Sequence, residues 1–291
     1  MERSVKNYLA LLSLALIWGS SFILMKKGLE VFSFIEVASL RIAIAFIPLI
    51  PFLPKAIKTV KRKHYLPIFI TALLGNGIPA YLFAKAQTQL DSSLVGILNA
   101  IVPFFTLILG VIFFKARASR KNILGIFFGF SGVVILTFNT LQQEIIAFNM
   151  YILFVVLATI FYAISMNVIK RYLQEIDASS IAVLAFLVIS PFSAIYLFNT
   201  EFLYHLRANP EGYKALGYIT VLAVLGTSVA SIIFNKLLSR SSAIFTSSIT
   251  YLIPIVAIFW GLFDGEVILI YHILAFGIIL SGVYLVNTDP N

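Results

Sequence analysis

Ten long apolar stretches divide this chain, and they limit its possible folds more than any other feature. Eight of them lack Asp, Glu, Lys, Arg and His, and two contain one such residue each, Arg41 and His272. A helix needs about 20 mostly apolar residues to cross a bilayer, whereas a strand of a membrane barrel needs only about 10 and alternates in polarity. We therefore predict an all-α membrane protein with ten transmembrane helices. The stretches span residues 7–25, 37–54, 65–84, 92–114, 122–143, 145–169, 178–200, 215–235, 241–263 and 267–288.

The composition excludes a soluble protein. Asp, Glu, Lys and Arg make up 11% of the 291 residues, and hydrophobic residues make up 60%. A soluble domain carries about 25% charged residues. The absence of Cys excludes disulfides, thiolate metal sites and cysteine nucleophiles. The connections between ten helices are too short for a separate catalytic or nucleic-acid-binding domain, so we expect the function to lie within the membrane.

The basic residues predict the orientation of the helices, because Lys and Arg favour short cytoplasmic loops. With the N-terminus placed inside, the cytoplasmic segments carry 15 of the 21 Lys and Arg residues and the opposite segments carry 5. Both termini are therefore predicted to be cytoplasmic, in a bacterial-type inner membrane. The net charge of +9 then reflects topology. The basic loop 55–63 is interpreted as a stop-transfer loop, with a nucleic-acid or phosphoinositide site as the alternative.

The two halves of the chain resemble each other in sequence. A shift of 151 residues aligns Gly75 with Gly226, Phe83 with Phe234, Lys85 with Lys236, Pro103 with Pro254 and Gly110 with Gly261; a shift of 144 aligns Lys26-Lys27 with Lys170-Arg171. We predict two five-helix repeats, residues 1–143 and 144–291. Because five is odd, the second repeat enters the membrane inverted. Lys115 and Glu266 occupy equivalent positions with opposite charge, as inversion requires. Inverted repeats are the architecture of many secondary transporters, with the substrate site near the midplane.

Several short motifs resemble one family. They are ALIWGSSF at residues 15–22, LRIA at 40–43, GILNAIVP at 96–103, and Pro254 followed by Glu266. In order and spacing they resemble the drug/metabolite transporter superfamily, and specifically its EamA-type ten-helix permeases, over nearly the whole chain. The resemblance implies a bundle with a central cavity and transport of amino acids, other metabolites or drugs. Lys115 departs from the family, which often has an acidic residue there, and this argues against a symmetric carboxylate mechanism.

Polar residues inside the predicted helices are candidates for the substrate pathway, because polar groups in a bilayer are costly and rare. Lys85 and Lys236 are interpreted either as charges at the two mouths of the pathway, which gate it or bind a substrate carboxylate, or as snorkelling lysines. Arg41 and Glu266 are interpreted as structural or gating charges, and Arg41 is expected to pair with Glu36 or Glu30 or to cap helix ends. The candidate pathway residues are Trp18, Ser21, Asn76, Tyr81, Lys85, Asn99, Pro103, Tyr162, Asn167, Asn235, Lys236, Thr250, Tyr251 and Pro254.

Two prolines are expected to kink the fourth and ninth predicted helices at matching depth. Proline removes one helix hydrogen bond, and the freed carbonyls can line a cavity or act as a hinge. Asn99 and Thr250 lie four residues before Pro103 and Pro254, on the same helix face. They are expected to hydrogen-bond a polar substrate or the freed carbonyls.

Two small-xxx-small pairs predict close helix packing or a homodimer through the fifth and tenth predicted helices. They are Gly125 with Gly129 and Gly277 with Ser281. No enzyme, metal or cofactor motif is present, so we predict a non-enzymatic protein without cofactors or nucleic-acid partners. The predicted function is a secondary transporter of small organic solutes, as an exporter. The alternatives are a membrane receptor or scaffold, and a passive channel.

Overall fold

The protein is helical throughout the part that the structure describes. This computed structural model describes residues 2–90, 92–136, 150–263 and 270–287, and no strand occurs in these ranges. By length and composition, six helical segments can cross a membrane: Val5–Leu29, Phe34–Thr59, Arg62–Ala86, Tyr151–Tyr172, Ala178–Phe198 and Gly212–Arg240. Three apolar segments are shorter: Val102–Phe114, Ala243–Val256 and Gly277–Val286. The chain is therefore a multi-pass membrane protein.

Several of the predicted spans consist of two or more shorter helices. The predicted spans 122–143, 145–169 and 267–288 extend in part beyond the described residues. In chain order the helices are α1 (Glu2–Leu29), α2 (Phe34–Phe46), α3 (Leu53–Thr59), α4 (Tyr65–Ala72), α5 (Ile78–Ala86), α6 (Ser92–Asn99), α7 (Val102–Phe114), α8 (Arg120–Leu136), α9 (Tyr151–Tyr172), α10 (Ala178–Phe198), α11 (Phe202–Ala208), α12 (Gly212–Ala223), α13 (Ala230–Arg240), α14 (Ala243–Ser247), α15 (Ile249–Phe263) and α16 (Ile270–Asn287).

A 3₁₀ helix, Ile47–Phe52, joins α2 to α3 and contains Pro48 and Pro51. Proline has no backbone N–H, so it cannot donate the hydrogen bond that continues an α-helix. The apolar stretch therefore continues across the membrane while its helical geometry changes.

Two π-helical turns interrupt the walls of the bundle at equivalent positions. Leu73–Gly77 lies between α4 and α5, and Val224–Val229 lies between α12 and α13. The first residues of the two turns are 151 apart, which is the main repeat offset of the sequence. A π turn widens the helix locally and is frequent at functional sites. These turns bring carbonyl groups and small residues to the centre of the molecule.

The two prolines interrupt their helices in different ways. The chain leaves helical geometry between Asn99 and Val102, and Pro103 lies in the first turn of α7. Pro254 instead lies inside α15, which begins at Ile249 after a turn. The expectation of two matching kinks is therefore wrong for Pro103. It follows a break, where its missing N–H costs no helical hydrogen bond.

Helices α8 and α16 form the most extensive helix pair in the described part of the chain. A Cβ added to Gly282 would lie 2.5 Å from the backbone nitrogen of Gly129 and 2.6 Å from the carbonyl oxygen of Gly125. The face of Gly125 and Gly129, a predicted dimer face, is thus used within the chain. A Cβ added to Gly277 would have no neighbour within 4 Å, and Ser281 is exposed. The face of α16 that carries these two residues is therefore open.

Two polar residues cap equivalent helices. Ser33 caps α2, where its hydroxyl accepts a hydrogen bond from the Glu36 backbone nitrogen and the Glu36 carboxylate accepts one from Ser33 N. Asp177 caps α10 and accepts from the Ser180 backbone nitrogen. Such caps satisfy backbone N–H groups that a helix start leaves unpaired. They fix the first residues of α2 and α10, two helices that line the central cavity.

Candidate functional site

A cavity lies at the centre of the bundle. The space in it that the centre of a water molecule can occupy is about 140 Å³. By the same measure, one water molecule needs roughly 10–15 Å³. Residues from both predicted repeats line it. The sequence-predicted pathway residues that line the cavity are Trp18, Ser21, Asn76, Asn99, Tyr162, Asn235 and Thr250, and Arg41 lines it as well. Of the predicted residues, these are the ones that the structure brings together.

The first cavity wall is the segment from α4 to α5, with its π turn, packed against α9. A Cβ added to Gly75 in this turn would collide with the hydroxyl of Ser165 on α9. One turn earlier on α9, Tyr162 stacks on Phe83 of α5 with ring centroids 5.7 Å apart. Glycine therefore permits α9 to approach the π turn closely.

The second cavity wall is the segment from α12 to α13, with its π turn, packed against α1. A Cβ added to Gly226 would lie 2.7 Å from the hydroxyl oxygen of Ser21 on α1. Trp18 donates a hydrogen bond from Nε1 to the Gly226 carbonyl at 3.0 Å, and its ring lies 5.5 Å from that of Phe234. These contacts match those of the first wall at the sequence offsets of 144 and 151. Each wall thus packs against a helix from the other half of the chain.

Two polar atoms in the cavity lining are buried and have no hydrogen-bond partner among the described residues. They are Asn99 Oδ1 and Thr71 Oγ1. Both side chains are at least nine-tenths buried. Buried polar atoms are nearly always satisfied by protein or water. The cavity therefore presents unfilled hydrogen-bonding capacity.

Three other polar lining residues donate hydrogen bonds to backbone carbonyls. Asn76 Nδ2 donates to the Thr71 carbonyl at 3.3 Å, and Asn235 Nδ2 donates to the Ala178 carbonyl at 3.3 Å. Thr250 Oγ1 donates to the Ser247 carbonyl at 3.0 Å. These bonds hold the side chains in place at the cavity surface.

Arg41 is the charged residue among the described residues that line the cavity. Its Nε donates to Thr227 Oγ1 at 2.8 Å, in the π turn of the second wall. The prediction that Arg41 pairs with Glu36 or Glu30 is wrong, because both carboxylates have other partners. Glu30 pairs with Lys27 at 2.7 Å, and Glu36 bonds to His205. Arg41 faces the cavity because α2 packs beside the second wall.

Two predicted pathway residues lie outside the cavity lining and bridge helices instead. The Tyr81 hydroxyl lies 2.8 Å from Ser39 Oγ and donates to Ser193 Oγ at 3.3 Å. Asn167 Nδ2 donates to the carbonyls of Thr106 and Ala163 at 3.1 and 2.9 Å. Interhelical hydrogen bonds of this kind stabilise membrane bundles. These positions therefore support the walls.

The two predicted lysines also lie outside the cavity lining, in unequal surroundings. Lys85 is half-buried, with its ammonium 4.6 Å from the ring centroid of Phe34 and 5.7 Å from that of Tyr151. Lys236 is exposed. Sequence equivalence thus does not give the two side chains the same contacts.

The remaining candidates lie away from the lining or outside the described residues. Tyr251 donates its hydroxyl to the Ile126 carbonyl at 3.1 Å and packs against α8. Pro103 and Pro254 are buried but do not line the cavity. Glu266 lies outside the described residues. Tyr251 therefore joins α15 to α8 as a packing residue.

Sequence reasoning missed six polar lining residues: Thr71, Ser165, Thr227, Ser231, Thr246 and Ser247. The repeat offsets offered a signal for two of them. Ser165 lies 144 residues after Ser21, and Thr227 lies 151 residues after Asn76. No sequence signal marked Thr71, because its role depends on which face of α4 meets the cavity.

Ion pairs join the segment 55–63 to the segment 175–177. Lys55 Nζ lies 3.2 Å from Asp177 Oδ2, and Lys63 Nζ lies 2.6 Å from Glu175 Oε2. Partial burial of Asp177 opposes its ionisation, but hydrogen bonds from Ser179, Ser180 and Lys55 lower its pKa to about 2. In the described part of the chain, no three His, Cys, Asp or Glu side chains are grouped to hold a metal ion.

Comparison with known proteins identifies the family. The chain is 23% identical to an uncharacterized transporter of Archaeoglobus fulgidus, over 97% of this chain and 99% of that protein. It is 25% identical to a probable amino-acid metabolite efflux pump of Salmonella typhimurium, over 96% of this chain and 93% of that protein. The chain is also 26% identical to the uncharacterized inner membrane transporter YedA of Escherichia coli K12, over 96% of this chain and 89% of that protein.

A solved crystal structure has a similar fold. It matches with a TM-score of 0.70 at 14% identity, over 96% of this chain and 95% of that chain. The sequence profile of the EamA-like transporter family matches the chain twice, over residues 5–138 and 149–288. Together the two matches cover nearly the whole sequence. The chain is therefore a membrane protein that belongs to the EamA-like transporter family.

Proposed function

We propose that this protein is a secondary transporter that exports small organic solutes across the cytoplasmic membrane by alternating access. The observation that carries the proposal is the central cavity. It is lined by polar side chains from both halves of the chain, and two of its buried polar atoms have no described partner. A cavity with a few convergent polar groups in an apolar wall is typical of a small-molecule site.

The proposed mechanism needs two inverted five-helix repeats, residues 1–143 and 144–291, with both termini in the cytoplasm. Three observations support this architecture: the double match of the family profile, the two π turns 151 residues apart, and the matching serine–glycine contacts of the two walls. In inverted-repeat transporters the two halves exchange conformations around a fixed site. The ten-helix count and the sidedness are parts of this proposal.

Export is the proposed direction because a relative of similar length is called a probable amino-acid metabolite efflux pump. The sequence contains no nucleotide-binding loop. Transport is then driven by the solute gradient or by a coupled ion.

Counterflow in proteoliposomes tests the transport function. We expect saturable exchange of a labelled solute from pools of amino acids, organic acids and amines. Asn99→Leu should reduce this exchange at least tenfold, because it removes an unpartnered polar group from the cavity. The matched control is Asn199→Leu, since Asn199 is exposed at the end of α10. Equal loss of exchange in both variants would argue against the site.

Two other functions make different predictions in the same preparation. A receptor or scaffold gives no flux of any pool, and that result counts against transport. A channel gives ohmic conductance in electrical recordings instead of saturable exchange. Reporter fusions test the topology separately, and a loop 55–63 placed outside the cell would overturn the inverted arrangement.

A homodimer is also part of the proposal. The open face of α16 around Gly277 and Ser281 offers a small-residue surface for close helix contact. Cysteine cross-linking from Ser281→Cys tests it, because the chain contains no other Cys. Absence of a disulfide dimer in native membranes, with efficient labelling of the same thiol, would remove this face from consideration.

A further inference from the structure

Arg41 brings a positive charge to the cavity, well inside a membrane helix. It lies roughly 10 Å from the start of α2 at about 1.5 Å per residue. Its side chain is half-buried and lines the cavity. A charge at this depth is costly unless it is paired or faces a polar cavity.

No described carboxylate neutralises Arg41. None of the ion pairs within the described ranges includes it, and no Asp or Glu occurs among the described lining residues. Glu36, on the same helix, is 1% exposed and accepts from Ser33 N, and its oxygens lie 3.1 Å from His205 Nδ1. A charge inside a membrane segment is costly unless it is paired, so the cavity favours an anion beside Arg41.

The one described hydrogen bond of Arg41 leaves most of its guanidinium free for a ligand. A guanidinium has five N–H donors, and only Nε is bonded, to Thr227. A second hydrogen bond joins α2 to the same π turn, because Ser228 Oγ donates to the Ala45 carbonyl at 2.6 Å. The Thr227 bond orients the guanidinium, whose terminal nitrogens suit two-point binding of a carboxylate.

A second, independent observation points to a ligand at the same cavity. Asn99 Oδ1 and Thr71 Oγ1 are buried without a described partner. They are supplied by α6 and α4, whereas Arg41 belongs to α2. A ligand that fills the space between these helices would satisfy a charge and two polar atoms together. The rest of the lining includes apolar side chains such as Phe22 and Met166.

We infer that Arg41 is the anion-binding residue of the transport site, and that the transported class is small organic carboxylates with a further hydrogen-bonding group. This inference rests on the proposed transport function. The carboxylate binds the guanidinium, the hydrogen-bonding group meets Asn99 or Thr71, and the hydrocarbon part contacts the apolar lining.

Ligand-induced thermal stabilisation of the purified full chain tests the inference. The probes are a pool of the twenty amino acids, a pool of short-chain monocarboxylates, and a pool of the corresponding amides. We expect at least one carboxylate pool to raise the Tm of the wild type, and the amide pool to leave it unchanged. Arg41→Gln should weaken carboxylate binding at least tenfold, because hydrogen bonds to a charged group are the strong ones. Arg41→Lys should retain part of it, and the exposed Arg207→Gln should change nothing.

Three results would overturn the inference: no stabilisation of the wild type by either carboxylate pool, equal stabilisation by the amide pool, or unchanged carboxylate binding in Arg41→Gln. A purely structural Arg41 would lower the Tm of the ligand-free protein without changing the preference for carboxylates over amides. If Arg41→Gln does not fold, two measurements still test the inference: the stabilisation of the wild type by carboxylates compared with amides, and the carboxylate binding of Arg41→Lys. Counterflow of amines that does not change in Arg41→Lys would support the transport function and contradict the role of Arg41 in substrate binding. Carboxylate binding without flux would reject transport and keep the binding site.

Discussion

The two cavity walls have the same backbone design but different polar chemistry. Each contains a π turn, and each turn has a glycine against a serine of a helix from the other half, Gly75 with Ser165 and Gly226 with Ser21. A repeated sequence pattern thus produces the same close approach twice. The shape of the cavity follows from this repetition.

The difference between the walls lies in what they bind. The π turn of the second wall accepts hydrogen bonds from Trp18 and Arg41. In the first wall, Asn76 bonds to the backbone of its own segment, and Tyr162 makes a stacking contact. Arg41, the charged residue of the described lining, is therefore hydrogen-bonded to the second wall. A symmetric frame with an asymmetric lining can orient a solute that is itself asymmetric in charge.

The largest expected effect comes from filling either glycine of the π turns. We expect Gly75→Val and Gly226→Val each to abolish counterflow and to cost about 1–3 kcal/mol of stability, as overpacking does in tight sites. Unfolding in mixed detergent measures the stability. Gly217→Ala is the control in the second wall, since a Cβ there has no neighbour within 4 Å. Gly75→Ala should also reduce counterflow, because its Cβ meets the Ser165 hydroxyl. Adding Ser165→Ala to this variant should restore part of that loss, because it removes the hydroxyl.

The next comparison is between the aromatic residues that face the two turns. Trp18→Phe removes the hydrogen bond to the Gly226 carbonyl and should cost about 1–2 kcal/mol, since a buried acceptor loses its donor. Tyr162→Phe removes a hydroxyl with no hydrogen bond to a described residue, so its stability should stay within about 0.5 kcal/mol of wild type. Equal costs in unfolding experiments would mean that the two walls do not differ as described.

The helix caps beside the walls should have similar strength. Ser33→Ala and Asp177→Ala should each cost about 1 kcal/mol, the usual contribution of an N-cap. The Asp177 contribution depends on pH. Its folded-state pKa of about 2 lies below the unfolded value of about 3.9. The stabilisation is therefore complete above about pH 4 and is lost as the pH falls towards 2. The difference in Tm between wild type and Asp177→Asn should shrink over that range, and a constant difference would contradict the cap.

The smallest expected effect separates the two equivalent lysines. Lys85→Ala should cost about 0.5–1 kcal/mol, because the ammonium loses its contacts with the rings of Phe34 and Tyr151. Lys236→Ala should change stability by less than about 0.5 kcal/mol, as exposed substitutions usually do. Similar costs for both would mean that the contacts of the two lysines do not differ as described.

Much of the fold class and part of the site were predictable from the sequence. Apolar length predicts membrane helices because a bilayer leaves the backbone no other partner than itself. Polar residues inside these helices predicted seven lining residues, including Asn99 and Tyr162. The same rule also selected Tyr81 and Asn167, which bond between helices. Polarity within a membrane identifies both kinds of residue and cannot separate them.

The sequence by itself determined that the chain is helical and that it crosses a membrane several times, and it predicted that the two halves are related. These properties depend on hydrophobic length and on residue spacing, which are local. The tertiary structure decided the partner of Arg41, the unequal surroundings of Lys85 and Lys236, and the use of Gly125 and Gly129 within the chain. Those depend on which helix faces meet. That choice is made by packing between segments far apart in sequence.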